Sequence, residues 1–211
     1  MLIKMFNNSN LSEQEAYIVG LCFPKLFKGK YLNEEYILGR IGHHTTKVSN
    51  KEVTEDDILY HYVLIKNYLS EFYNKNFIIR PARVIQPKVP SIGFSLMFKM
   101  ENDIEKYKEK FIKLLKKIKI SEETVKKSFI KGMFDGRSSY DNGKYMTLDV
   151  DNNLDTIEII KDIVSNIFDD VNSFYNPRGN DGVPRLRLSL SNLQTIKLFS
   201  PYRAKIITGK I

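Results

Sequence analysis

Hydrophobic and polar residues follow two periods along the 211-residue chain. Ile104, Tyr107, Phe111, Leu114 and Ile118 recur every three or four residues in a lysine-rich run, which predicts an amphipathic helix near 102–118. Ile58, Tyr62, Ile65, Leu69 and Phe72 make a similar stripe and predict a helix near 55–73, with Thr54 as its N-cap and Glu55, Asp56 and Asp57 in its first turn. The other period appears in VPRLRLSL at 183–190. There Leu186, Leu188 and Leu190 fall on one side and Arg185, Arg187 and Ser189 on the other, the pattern of a strand with one buried and one wet face. Taken along the whole chain, the patterning predicts a helix near 12–27, a strand-bearing region near 28–50, the helix at 55–73, strands near 77–86 and 91–99, and the helix at 102–118. A helix near 121–135 with a capping start at Ser121 follows, then a strand at 144–151, a helix at 154–168, strands near 171–177 and 183–190, and a short helix from Asn192.

The second half repeats the order of the first. VPSIGFSL at 89–96 has its counterpart in VPRLRLSL at 183–190, and EAYIVGLCF at 15–23 has one in KSFIKGMFD at 127–135, each of the latter two with an aromatic-Ile-x-Gly-apolar core. Two matched pairs in one order imply a duplicated unit, with 1–119 as the first repeat and 120–211 as the second. The expected fold class is α+β: helix, strands, helix, strands, helix, twice over, with helices packed on one face of antiparallel sheets.

Composition is ordinary for a globular protein, with 42% hydrophobic and 27% charged residues, and changes little. Charge changes more. Lys and Arg number 33 against 25 Asp and Glu, a net charge of +8, which favours a polyanionic partner such as nucleic acid. The single cysteine, Cys22, excludes a disulfide framework and a cysteine zinc site and suits a reducing, cytoplasmic setting. No apolar run approaches 18 residues and MLIKMFNNSN lacks one altogether, so neither a membrane span nor a secretory leader is expected. The adjacent His43 and His44 lack spaced metal-ligand partners and read as a polar loop. No GxxxxGK[ST], GxGxxG or GxSxG is present, which removes the common nucleotide-binding and hydrolase classes. The wet strand face instead offers Arg185 and Arg187, with Arg178 and Lys144 nearby, as a surface for DNA. Arg80 and Arg83 are expected to line the corresponding face of the first half, Pro81 confining their strand to an edge or a bulge.

IKGMFDGRS at 130–138 resembles the nine-residue motif of the LAGLIDADG homing endonuclease family, with Gly132, Asp135 and Gly136 at motif places, and IVGLCFPKL at 18–26 keeps its aliphatic pattern and Gly20. The resemblance implies a pseudo-twofold saddle in which the two motif helices pack through Gly20 and Gly132 while the sheets lie in the DNA major groove. It also implies an acid at the eighth position of each motif, holding the divalent metal that cleavage needs. This chain carries Lys25 and Arg137 at those positions. The expectation is a degenerate member of the family, a monomer with internal pseudo-symmetry that binds double-stranded DNA, with Lys25 and Arg137 at the phosphates, no catalytic residue and no cofactor. Regulation of transcription or of a mobile element would follow from such binding. Asp135, at motif position six, is expected to cap the helix end, and Asp149 and Asp151 are read as solvated strand carboxylates. Two alternatives remain open: a Mg²⁺-dependent endonuclease whose metals are held by Asp135, Asp141 or Glu15, and a protein-interaction module that uses the open sheet faces.

Overall fold

The computed structural model describes residues 11–22, 26–31, 34–39, 43–45, 47–48, 51–52, 78–86, 89–98, 104–141, 144–150, 153–169, 174–175 and 184–198, with some helical positions between 59 and 70. The first helix, α1 (Glu13–Cys22), starts on a capping box. The Ser12 Oγ accepts the Glu15 N–H at 3.2 Å, and the Glu15 carboxylate accepts the Ser12 N–H at 2.9 Å. This helix stops earlier than its apolar pattern suggested. Pro24 lies two residues beyond its end, and a proline disfavours helical backbone in the residue before it.

Strands β1 (Leu26–Tyr31), β2 (Glu34–Gly39), β3 (His43–Thr45), β4 (Lys47–Val48) and β5 (Lys51–Glu52) follow. The described positions between 59 and 70 are helical, as the stripe in that region predicts, although the stripe residues and Thr54 lie outside the described residues. Next come β6 (Ile78–Gln86), β7 (Val89–Phe98) and α2 (Ile104–Ile120). The second half contains α3 (Glu123–Arg137), β8 (Ser139–Asp141), β9 (Tyr145–Asp149), α4 (Leu154–Ser165), β10 (Phe174–Tyr175), β11 (Arg185–Ser189) and α5 (Leu190–Ile196).

Three local assignments differ from expectation. Ser121 does not start α3; its hydroxyl donates to the Lys117 carbonyl at 2.8 Å and so finishes α2. Leu190 leaves the strand and opens α5, because the Ser189 hydroxyl accepts the Asn192 N–H at 3.2 Å and caps that helix two residues before the expected start. Strand β8 was not foreseen. Its three residues carry no alternation of their own and owe their conformation to pairing with β9.

The strands form two main antiparallel sheets of mixed helix-and-sheet architecture. In the first, β1 pairs β2, β2 pairs β7, and β6 lies along the other side of β7, while β3 extends the β2 side further along β7. In the second the order is β8-β9-β11-β10. With the short β3 set aside, both sheets thus run first strand, second, last, third. The β4–β5 hairpin stands apart as a small third sheet. Helix α4 begins at Asn153, whose side chain accepts the Thr156 N–H at 3.2 Å, and buries Ile159, Ile160, Ile163 and Val164. Those residues join Met146, Leu148, Leu186 and Leu188 from the sheet, and Leu114, Leu115 and Ile118 from α2, in one core. Burying side chains of this size stabilises by about 1.5–3 kcal/mol each. Among the described residues, no helix is long and apolar enough to cross a membrane.

The core is organised around α1 and α3, which run parallel. Ser128 donates to Glu13 at 3.5 Å near their starts, and Gly136 meets Leu21 near their ends. At the crossing the backbones touch. A Cβ built on Gly20 would stand 2.2 Å from the Phe129 carbonyl oxygen, and one on Gly132 would stand 2.1 Å from that of Tyr17. Only glycine fits either place.

Candidate nucleic-acid interface

The C-terminal turns of α1 and α3 lie side by side, each followed by the first strand of a sheet. Asp135 occupies the last turn of α3, three residues beyond Gly132 and so on the face turned to α1. Its carboxylate is wholly buried and accepts a hydrogen bond from the Tyr17 hydroxyl at 3.1 Å. The Lys131 Nζ stands 6.0 Å from the centre of the Tyr17 ring. Asp135, expected to cap this helix end, bonds across to α1. Ser138 takes that role, its hydroxyl donating to the Phe134 carbonyl at 2.5 Å.

The structure does not gather the three acids named as alternative metal ligands. Glu15 belongs to the capping box at the opposite end of α1. With the helices parallel and Gly20 level with Gly132, it stands about eight residues short of the level of Asp135, roughly 12 Å along the axis. Asp141 ends β8, in register with Tyr145. Among the described residues no three His, Cys, Asp or Glu side chains converge. A buried Asp135 bound to Tyr17, with Arg137 rather than an acid two residues on, does not fit a divalent metal.

The second sheet has the two faces that its alternation predicts. Met146, Leu148, Leu186 and Leu188 are buried on the inner side. Tyr145, Thr147 and Asp149 of β9 share the outer side with Arg185, Arg187 and Ser189 of β11, paired Arg185 to Asp149, Arg187 to Thr147 and Ser189 to Tyr145. Asp149 accepts a hydrogen bond from the Arg185 Nε at 2.9 Å, so it is not the simply solvated carboxylate expected of it. Both partners are about a third exposed, at 33% and 39%, and the pair holds the Arg185 side chain on the sheet rather than adding much stability. Arg187 leans diagonally along the strands, and its guanidinium carbon lies 3.8 Å above the centre of the Tyr145 ring, a cation–π stack. Thr147, beneath this stack, is only 8% exposed although it faces outward. Lys144 is exposed at the head of β9, where its carbonyl accepts the Leu190 N–H at 3.0 Å, next to the Tyr145 end of the face.

The first sheet divides two residues that were expected together. The β6–β7 register is unbroken and pairs Arg80 with Ser95 and Arg83 with Ile92. Residues three apart in a regular strand fall on opposite faces, so Arg80 shares the side of Ser91, Gly93 and Ser95, and Arg83 that of Ile92, Phe94 and Leu96. Only Arg80 lies on the polar side. Pro81 does sit in an edge strand, since β6 pairs only β7 among the described residues. Arg137 closes α3; its side chain, with Lys25, Arg178 and Asp151, lies outside the described residues.

Two residues that organise these contacts are not singled out by the sequence. Tyr145 was visible only as the outward position of KYMTLDVD, and Tyr17 only as the aromatic that precedes the first motif, matched by Phe129 before the second.

Solved structures of the homing endonuclease I-DmoI share this fold. Its complex with DNA and Mn matches at a TM-score of 0.53 and 20% identity, over 91% of this chain and 98% of that one. This chain has the LAGLIDADG fold. The I-DmoI complex with DNA and Ca matches at 0.52 and 20% identity, over 89% and 91% of the two chains. A structure from a set of mesophilic I-DmoI variants matches at 0.52 and 18%, over 87% and 92%. No family sequence model and no curated protein matches the chain. Within the LAGLIDADG fold, the motif helices at 18–26 and 130–138 correspond to α1 with the residues after it and to α3, and the outer faces of the sheets are the surfaces away from their packing.

Proposed function

We propose that this chain binds duplex DNA through the outer faces of its two sheets and does not cut it. The observation that carries the reading is the outer face of β9 and β11, where Arg185 and Arg187 are each held in place by a neighbour. A two-stranded ribbon of this kind fits the major groove, which is about 12 Å wide. The net charge of +8 adds long-range attraction to the phosphates. The likeness in fold to an endonuclease solved on DNA supports the same surface. On this reading residues 1–119 and 120–211 are two copies of one unit, a division supported by the shared strand order of the two sheets.

Loss of cleavage rests on the residues themselves. The eighth motif positions hold Lys25 and Arg137, and a fixed positive charge about 4 Å from a divalent cation repels it by roughly 1–4 kcal/mol per unit-charge pair. Asp135, two residues before Arg137 in the chain, is turned into the helix interface. Lys25 and Arg137 would meet phosphate oxygens directly, so binding requires no added cation.

The test has two parts. Binding to random-sequence duplex should weaken steeply with salt, with a slope in log K against log[salt] near −0.9 per phosphate contact, and should be the same in EDTA as in Mg²⁺. Supercoiled plasmid carrying a selected site should stay intact in Mg²⁺ and in Mn²⁺. A flat salt response refutes the DNA reading, and metal-dependent cutting that persists in Lys25→Ala and Arg137→Ala but is lost in Asp135→Asn refutes the loss of activity.

A further inference from the structure

The two arginines of β11 differ from their counterparts in β7. VPRLRLSL carries Arg185 and Arg187 where VPSIGFSL carries Ser91 and Gly93, so one sheet presents two long cationic donors at places where the other presents almost no side chain. Neither arginine is left to wander. Asp149 engages the Nε edge of Arg185, and a guanidinium held by that edge directs its two terminal nitrogens away from the strand. The Arg187 guanidinium is held over the face of the Tyr145 ring.

From this geometry we infer that Arg185 and Arg187 are specificity-determining residues that read two guanines with one base pair between them, in the half of the DNA site facing the second sheet. The inference rests on the duplex-DNA reading above. Guanine is the base because it shows two acceptors, N7 and O6, on its major-groove edge, matched to a planar fork of donors. The spacing comes from the strand. Residues two apart in an antiparallel strand stand ~6.8 Å from each other, which is two steps of ~3.4 Å along duplex DNA. The lean of Arg187 toward Tyr145, across from Ser189, carries its guanidinium away from Arg185, so two steps is the shortest separation the pair allows and two adjacent guanines are disfavoured. Asp149 is a positioning residue, fixing which edge of Arg185 meets the base. The first half, with Ser91 and Gly93, has no such requirement, so the preferred site is asymmetric.

The experiment is selection of bound sites from a randomised duplex library with the full chain, followed by binding measurements on single-base variants of the selected site. Two guanines separated by one intervening base pair are expected, each replaceable only with a loss of about 5- to 150-fold. Arg185→Ala and Arg187→Ala should each erase the preference at one of the two positions and leave the other, with Arg187→Lys, which keeps charge but not the fork, behaving as the alanine does. Asp149→Ala should blur the preference at the Arg185 position, and Asp149→Asn, which can still accept from Nε, should restore it. A change in base preference is a result that a merely structural role for Asp149 would not produce. If wild-type protein selects a site without the paired guanines, or the arginine variants keep the wild-type preference while their thermal unfolding is unchanged, the inference is wrong and the DNA reading stands. If no duplex is bound at low salt, both are wrong.

Discussion

Gly132→Ala tests the packing on which the whole arrangement depends. The added carbon would stand 2.1 Å from the Tyr17 carbonyl oxygen, 3.0 Å from the Leu21 nitrogen and 3.0 Å from the Tyr17 carbonyl carbon. An ordinary non-bonded separation is about 3.5 Å, so the first contact is more than ~1 Å too short. The atoms met are all backbone of α1, and no side chain can swing aside; the helices themselves must part. Overpacking of this sort costs about 1–3 kcal/mol, and parting the backbones puts the change at the upper end. Alanine returns about 1 kcal/mol through its better helix propensity. The net loss expected is about 2 kcal/mol, which in a chain of this size lowers Tm by about 4–8 °C. Gly20→Ala, at 2.2 Å from the Phe129 carbonyl oxygen, should behave alike. Gly136→Ala is the control. Its nearest atom, the Leu21 carbonyl oxygen, is 3.0 Å away, so a few tenths of an ångström of movement suffice and the helix propensity largely offsets the cost. Thermal and urea unfolding followed by circular dichroism measure all three. A Gly132→Ala protein as stable as wild type, or a Gly136→Ala protein hurt as much as the other two, would refute the argument.

Tyr17→Phe removes the hydroxyl that donates to buried Asp135 and should cost about 1–3 kcal/mol in urea unfolding; an unchanged midpoint would show that the bond contributes nothing. Glu123 is hydrogen-bonded and attracted by Lys127, with a lesser attraction from Lys126, and its carboxyl titrates below the ordinary 4.5 despite slight opposing desolvation. A lowered folded value means that the pair's small contribution is present above about pH 4.5 and is lost as pH falls through the folded value. Lys127→Ala should therefore move the Glu123 titration upward in a carboxyl NMR experiment, and no movement would remove the pair from the account. The double change Lys25→Asp with Arg137→Asp replaces two positive charges by two negative ones, so duplex affinity should fall in EDTA and recover in part with Mg²⁺ or Ca²⁺. Equal affinity to wild type in EDTA would place both residues away from the phosphates.

What could be read from the sequence was what repeats locally. The leucines of VPRLRLSL marked β11 and its two faces because alternation needs only one strand to be seen, and the stripe through Phe111, Leu114 and Ile118 marked α2 for the same reason. Gly20 and Gly132 stood out because two matched segments each carried a glycine in the same apolar setting. The polar pairs were invisible for the opposite reason. Tyr17 and Asp135 are 118 residues apart and Arg185 and Asp149 are 36 apart, and nothing near any of them says which partner the fold supplies. Register was the missing quantity. Once β9 and β11 are aligned, the Arg185–Asp149 pair follows, and once β6 is aligned with β7, the assignment of Arg80 and Arg83 to a common face fails. The early end of α1 is legible in Pro24, whose local constraint outweighs an apolar pattern that runs on past it.

The nine-residue strand β6 runs along the rim of the first sheet with only β7 beside it among the described residues. A long open rim invites a foreign strand, and a sheet that carries one is prone to stack with its copies into fibres. Pro81 stands near the middle of that rim. With no N–H to offer, a proline in an edge strand leaves a gap in the row of outward donors that a docking strand must match. Arg80 beside it and Arg83 two residues on set like charges against each other in any self-pairing of this segment. Pro81→Val would be expected to leave the fold in place while shortening the time that a concentrated solution stays clear.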